Sequence, residues 1–101
     1  MKLKDIARVI RSKNAGPFVL TLDILMPSIE AFNTVKASGA LNVDLISRLY
    51  HVPREKIRII HYVPGLAIKI TMPRRVPSGD VADTDVYGAQ QHIPLMGIEV
   101  S

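Results

Sequence analysis

Leu66-Ala67-Ile68-Lys69-Ile70-Thr71-Met72-Pro73-Arg74-Arg75 is the stretch from which the fold is read. Leu66, Ile68, Ile70 and Met72 alternate with Ala67, Lys69 and Thr71. This period of two is that of a strand with one buried face. Just before it, Ile57-Arg58-Ile59-Ile60-His61-Tyr62 reads as a second strand, and Val63-Pro64-Gly65 between the two reads as a hairpin turn.

Moving outward, Phe18 to Met26 reads as another strand. Phe18, Leu20, Leu22, Ile24 and Met26 form one face; Val19, Thr21, Asp23 and Leu25 form the other. Both faces are largely apolar, which predicts a central strand covered on both sides. Asp23 is the exception. A carboxylate there is either paired or close to the solvent edge of the sheet, because burying it alone is costly.

Ser28 and Asn42 read as N-caps of two helices. The first carries Ile29, Phe32 and Val35 and stops at Gly39. The second carries Val43, Leu45, Ile46, Leu49 and Tyr50 and closes at His51-Val52-Pro53. Asp44 in its first turn and Arg48 in its last suit the helix dipole. Leu45 to Pro53 faintly matches the first helix of a helix-turn-helix, but a strand follows where a recognition helix would be needed. Residues 3–12 predict an amphipathic helix, since Leu3, Ile6, Ala7 and Ile10 fall at i, i+3, i+4 and i+7. Leu95 to Val100 predicts a final strand, and residues 73–93 predict a long irregular loop. Loops of that length in a compact domain are usually functional or interface-forming.

The implied architecture is α+β: a small, mostly antiparallel sheet of three or four strands with two or three helices packed on it. A chain of 101 residues is one domain, 1–101. Aromatic residues are scarce, so the core must be aliphatic. There is no cysteine, which excludes disulfides, thiolate metal sites and a cysteine nucleophile. The charged start Met1-Lys2-Leu3-Lys4-Asp5 has no apolar core of signal-peptide length behind it. No apolar run approaches the ~20 residues that span a membrane. A cytoplasmic protein without a membrane partner is the expectation.

The net charge is +4 but unevenly spread. Residues 1–75 hold all 13 Lys and Arg with five acids, leaving +8, while residues 76–101 hold four acids and no Lys or Arg, leaving −4. In one reading the acidic segment folds over a basic body. In the other, the basic part is a cationic pocket for an anionic substrate or a docking face for another subunit. Nucleic acid is not the expected partner, because no dense basic run is interleaved with aromatics.

Neither a phosphate-binding glycine loop nor a Gly-x-Ser-x-Gly elbow is present. Asp80, Asp83, Asp85 and His92 have metal-ligating chemistry, but their spacing matches no known loop, so neither a metal nor a cofactor is expected. His51 and His61 read as structural. An anion site is the stronger candidate. Arg74 and Arg75 stand at a strand end with the planar fork that binds carboxylate and phosphate. Lys13 and Asn14 stand at another element end. Tyr87, Gln90, Gln91 and His92 offer orienting groups, and Asp83 and Asp85 are either part of the site or ion-pair partners of the two arginines.

Three blocks carry a resemblance: Arg11 to Phe18, Pro64 to Thr71, and Asp83-Thr84-Asp85-Val86-Tyr87-Gly88-Ala89-Gln90-Gln91-His92. They look like a family of short, uncharacterised bacterial proteins, a domain of unknown function. That domain also looks similar to the C-terminal part of, or a small companion chain to, acyclic terpene utilisation-like proteins. The resemblance spans essentially the whole chain, and its last block is the most specific. It implies a small accessory subunit of a metabolic enzyme acting on carboxylic or acyl compounds, partnered by a larger catalytic chain, and it supplies no catalytic residue. The alternative is a stand-alone homo-oligomeric enzyme or binding protein for a small organic anion. If residues 73–93 form the interface with a larger chain, Arg74→Ala and Tyr87→Ala will weaken the complex in a co-purification assay. Circular dichroism of the isolated domain will be unchanged.

Overall fold

The computed structural model describes residues 1–16, 18–73 and 93–100. In chain order its elements are α1 (Leu3–Ile6), β1 (Val9–Asn14), β2 (Val19–Leu25), α2 (Ile29–Ser38), α3 (Val43–Tyr50), β3 (Arg58–Tyr62), β4 (Ala67–Pro73) and α4 (Ile93–Met96). The four strands form one antiparallel sheet in the order β1-β2-β4-β3. This is the expected α+β architecture with a four-stranded sheet.

The central pair is β2 and β4. Their register sets Leu20 against Met72, Leu22 against Ile70 and Ile24 against Ile68. All six side chains are buried, and they point to one face because side chains alternate along a strand. On that face they join Leu3 of α1, Phe32 and Val35 of α2, Ile46 and Tyr50 of α3, and Leu95 of α4 in a single core. The core is aliphatic, as the composition requires, with Phe32 its one fully buried aromatic ring among the described residues.

Local signals set the ends of α2 and α3. Ser28 accepts a hydrogen bond from the Ala31 amide at 3.2 Å, and Asn42 accepts one from Leu45 at 2.8 Å. Each satisfies an amide that the first helical turn leaves without a partner. Gly39 ends α2 in the left-handed region at φ 68°, where glycine has no Cβ penalty. His51 ends α3 in the same region at φ 57°. The expected β3–β4 hairpin is present, and its connection is a single 3-10 turn over Val63–Gly65.

Both chain ends depart from the sequence reading. Residues 3–12 are not one helix. The helix stops after Ile6, Ala7 is extended, and β1 then pairs with β2 from Val9↔Leu25 to Asn14↔Leu20. The apolar spacing that suggested a helix is met twice over. Leu3 and Ile6 turn inward from α1, and Ile10 turns inward from β1. An isolated helix of about ten residues is marginal in water, whereas a strand gains a full ladder with its neighbour. Leu95 to Val100 is likewise not a strand. Leu95 lies in α4, and the extended residues after it make one bridge, Lys2↔Glu99. That bridge ties the chain ends through Leu3 N–H to the Ile98 carbonyl and Val100 N–H to the Met1 carbonyl, each 2.8 Å.

β2 is central, but its two faces differ. Leu20, Leu22 and Ile24 are buried, whereas Val19, Thr21 and Leu25 on the other face are half-buried. Replacing Ile70, fully buried at the sheet centre, with alanine removes core contacts and leaves a cavity. In urea unfolding Ile70→Ala will lose ~2–5 kcal/mol. Ile29→Ala, at a position left 42% exposed, will stay within about 0.5 kcal/mol.

Candidate functional site

The second face of the sheet can be laid out from its registers. One row across β1, β2, β4 and β3 is Val9, Leu25, Ala67 and Tyr62. The next is Arg11, Asp23, Lys69 and Ile60, and the third is Lys13, Thr21, Thr71 and Arg58. The described helices all bury their apolar residues on the opposite face. Arg11, Lys13, Arg58 and Lys69 are exposed here, and Ile60 and Tyr62 are each 50% exposed. The result is a cationic platform with an apolar and aromatic margin along β3.

Among the described residues one anion lies in this platform. Asp23 is 5% exposed at the middle of β2. Its Oδ2 meets Arg11 Nε at 3.5 Å, so the carboxylate is paired across the β1–β2 ladder rather than placed at a solvent edge. Its Oδ1 is buried and accepts no hydrogen bond from the described residues. Lys69 stands opposite Asp23 in the register, yet its ammonium lies over the Tyr62 ring, 5.7 Å from the centroid. The ring face attracts that cation electrostatically. Gly65 is what lets the ring lie there, since a Cβ at residue 65 would come within 2.8 Å of it.

Of the ten residues expected at an anion site, the described residues include Lys13 and Asn14. Both stand at the end of β1, on the same end of the sheet as Pro73, where the chain leaves β4. They point to opposite faces, because they are consecutive in a strand. Lys13 is exposed on the platform, and Asn14 is half-buried on the helix side. Arg74, Arg75, Asp83, Asp85, Tyr87, Gln90, Gln91 and His92 lie outside the described residues, as does the acidic set Asp80, Asp83, Asp85 and His92. No group of three or more His, Asp and Glu able to hold a metal occurs among the described residues. Arg11, Arg58, Ile60, Tyr62 and Lys69 were not expected at a site. The signal for the last four is the alternation in β3 and β4, which assigns them to one face only once the register is known, whereas Arg11 lies in β1, which reads as helix in sequence.

Two further features lie on the helix side. His61 meets the edge of Phe32, with ring centroids 6.2 Å apart at 89°. Burial, with a smaller contribution from the charge of Lys36, holds its imidazole below the usual histidine value. A cleft of about 560 Å³ opens between α3 and α4 with the residues that follow it. Leu45, Leu49, Pro94 and Ile98 give it apolar walls, and Arg48 and Glu99 also line it.

The fold and this face define a small α+β protein whose sheet is covered by its described helices on one side. The chain belongs to the family described as domain of unknown function (DUF4387), whose model matches residues 3–99. No curated protein and no solved structure matches it. No helix among the described residues is long and apolar enough to cross a membrane.

Arg11 and Asp23 give a direct test of how the platform is held. Arg11→Ala leaves a buried carboxylate without its ion pair, and urea unfolding will show a loss of about 1–3 kcal/mol. Combining Arg11→Ala with Asp23→Val will restore most of that loss, because removing both partners leaves no buried charge.

Proposed function

We propose that the chain is a small accessory subunit that docks on a larger catalytic chain through the second face of its sheet. The observation that carries this reading is the make-up of that face: four exposed cations, Arg11, Lys13, Arg58 and Lys69, beside the half-exposed Ile60 and Tyr62. Aromatic, aliphatic and arginine side chains side by side are the composition of protein-binding surfaces. The single anion among the described residues of the face is buried and already paired, so these residues present positive charge outward. Its partner surface is therefore acidic with an apolar margin. Charge complementarity of this kind speeds association and fixes orientation.

The metabolic setting comes from the resemblance to acyclic terpene utilisation-like proteins, which suggests a partner acting on carboxylic or acyl compounds. Residues 73–93 belong to the same proposal as a contribution to the shared site or interface. Pro73, where the chain leaves β4, stands at the Lys13 end of the platform. A second reading, a binding protein for a small organic anion, is favoured by the cleft beside α3. Its apolar walls and the Arg48 guanidinium suit a carboxylate on an aliphatic body.

Size-exclusion with light scattering, on the chain alone and after co-expression with the chains encoded beside it, separates the two. The first reading expects a stable co-eluting larger chain, with affinity falling at least about tenfold on Lys13→Glu with Lys69→Glu and falling again with added salt. If no neighbour co-elutes and millimolar mono- or dicarboxylates raise Tm, the second reading replaces the first, because a ligand of the native state stabilises it.

A further inference from the structure

We propose that two copies of the chain pair through β3, antiparallel about Ile60, and join their sheets into one eight-stranded sheet. β3 is an edge strand. It is hydrogen-bonded to β4 on one side, and nothing among the described residues pairs with the other. An unpaired edge offers a row of amides and carbonyls to another strand, and edges that must stay single are usually protected by lysine, proline or a bulge. β3 contains no lysine and no proline. It carries Ile60 and Tyr62, each half-exposed, and runs into Val63, 47% exposed.

The five residues Arg58 to Tyr62 are self-complementary in one register. Centred on Ile60, every residue of the strand has a mate: Ile60 faces itself on the two-fold axis, Ile59 faces His61, and Arg58 faces Tyr62. The Arg58–Tyr62 pair occurs twice and sets a guanidinium beside an aromatic ring that already draws the Lys69 ammonium within its own chain. Registers centred on Ile59 or His61 leave residues of β3 unpaired, and the second also stacks the two histidines.

The other edge, β1, fails the same comparison. A continuous antiparallel ladder keeps opposite residues on the same face, so β1 would centre on Arg11 or on Ser12. The first sets Arg11 against Arg11, and the second sets Arg11 against Lys13 twice. Like charges directly opposite destabilise a ladder. Face-to-face stacking of two platforms would also bring Arg11, Lys13, Arg58 and Lys69 against a surface of the same sign. The β3 edge is thus where a second copy fits, and both cationic platforms end up on the same side of the joined sheet.

This proposal does not depend on the accessory role and is tested on the purified chain alone. The natural chain has no cysteine, so single cysteines report the register without background. Opposed residues on an antiparallel ladder have Cα atoms about 4.5–5.5 Å apart, within disulfide reach. The two copies of residue 58 would be roughly 13 Å apart, four residues along the strand, and out of reach. Under mild oxidation Ile60→Cys should give a covalent dimer at least about tenfold faster than Arg58→Cys or Tyr62→Cys alone. Arg58→Cys combined with Tyr62→Cys should again crosslink. Light scattering should give twice the 11.2 kDa chain mass for the natural protein. Ile60→Lys should give the single-chain mass with an unchanged circular dichroism spectrum, because two ammonium groups would meet on the axis. A natural chain that is a monomer overturns the proposal. So does a dimer that Ile60→Lys leaves intact, or one in which Arg58→Cys crosslinks as fast as Ile60→Cys.

Discussion

The β2–β4 ladder is the constraint on which the rest of the molecule depends. Seven residue pairs from Val19↔Pro73 to Leu25↔Ala67 fix which side chains of each strand share a face. A slip of one residue would turn Leu20, Leu22 and Ile24 away from Ile68, Ile70 and Met72. With that register set, the helices have one place to bury Phe32, Val35 and Ile46. The same register lines up the second face, where the chemistry is quite different. Core and platform are therefore two consequences of a single pairing.

Asp23 marks the cost of that arrangement. The ladder requires a residue at this position on the second face, and a buried carboxylate there is a poor choice for stability alone. Arg11 offsets part of the cost at 3.5 Å, but Oδ1 has no donor among the described residues. Lys69 is opposite in the register and could have served, yet its ammonium is drawn over Tyr62 instead. The face thus holds its anion inward and its cations outward. Among the described residues this separation leaves positive charge exposed on the face and keeps the one carboxylate out of solvent.

How much was legible in the sequence follows from how local each signal is. The caps at Ser28 and Asn42, the stop at Gly39 and the β3–β4 hairpin depend on residues close together in the chain, and all were readable. β1 was not, because Leu3, Ile6, Ala7 and Ile10 satisfy a helical period, while the choice of strand comes from pairing with β2, six to sixteen residues away. Leu95 to Val100 failed in the same way: its alternation is local, but no strand of the sheet takes it up. The candidate site was less legible still. Lys13 and Asn14 were recognisable as an element end, but β1 sends them to opposite faces. Arg58 and Lys69 come together only through the register.

The two edges of the sheet were also not equivalent in any way a linear reading would reveal. β1 and β3 both carry positive charge and both end the sheet. The difference lies in parity. On β1 the cations occupy alternate positions, 11 and 13, so both registers that pair most of the strand with its copy bring like charges together. On β3 the single arginine and the tyrosine are four residues apart about an isoleucine, so inversion exchanges them. An edge that repels its own copy beside one that accepts it would limit growth to a closed pair and prevent an open stack of sheets, the outcome that unprotected edges otherwise favour. With β3 paired in that way, the distribution of five or six side chains along two short strands would be enough to separate a defined dimer from aggregation.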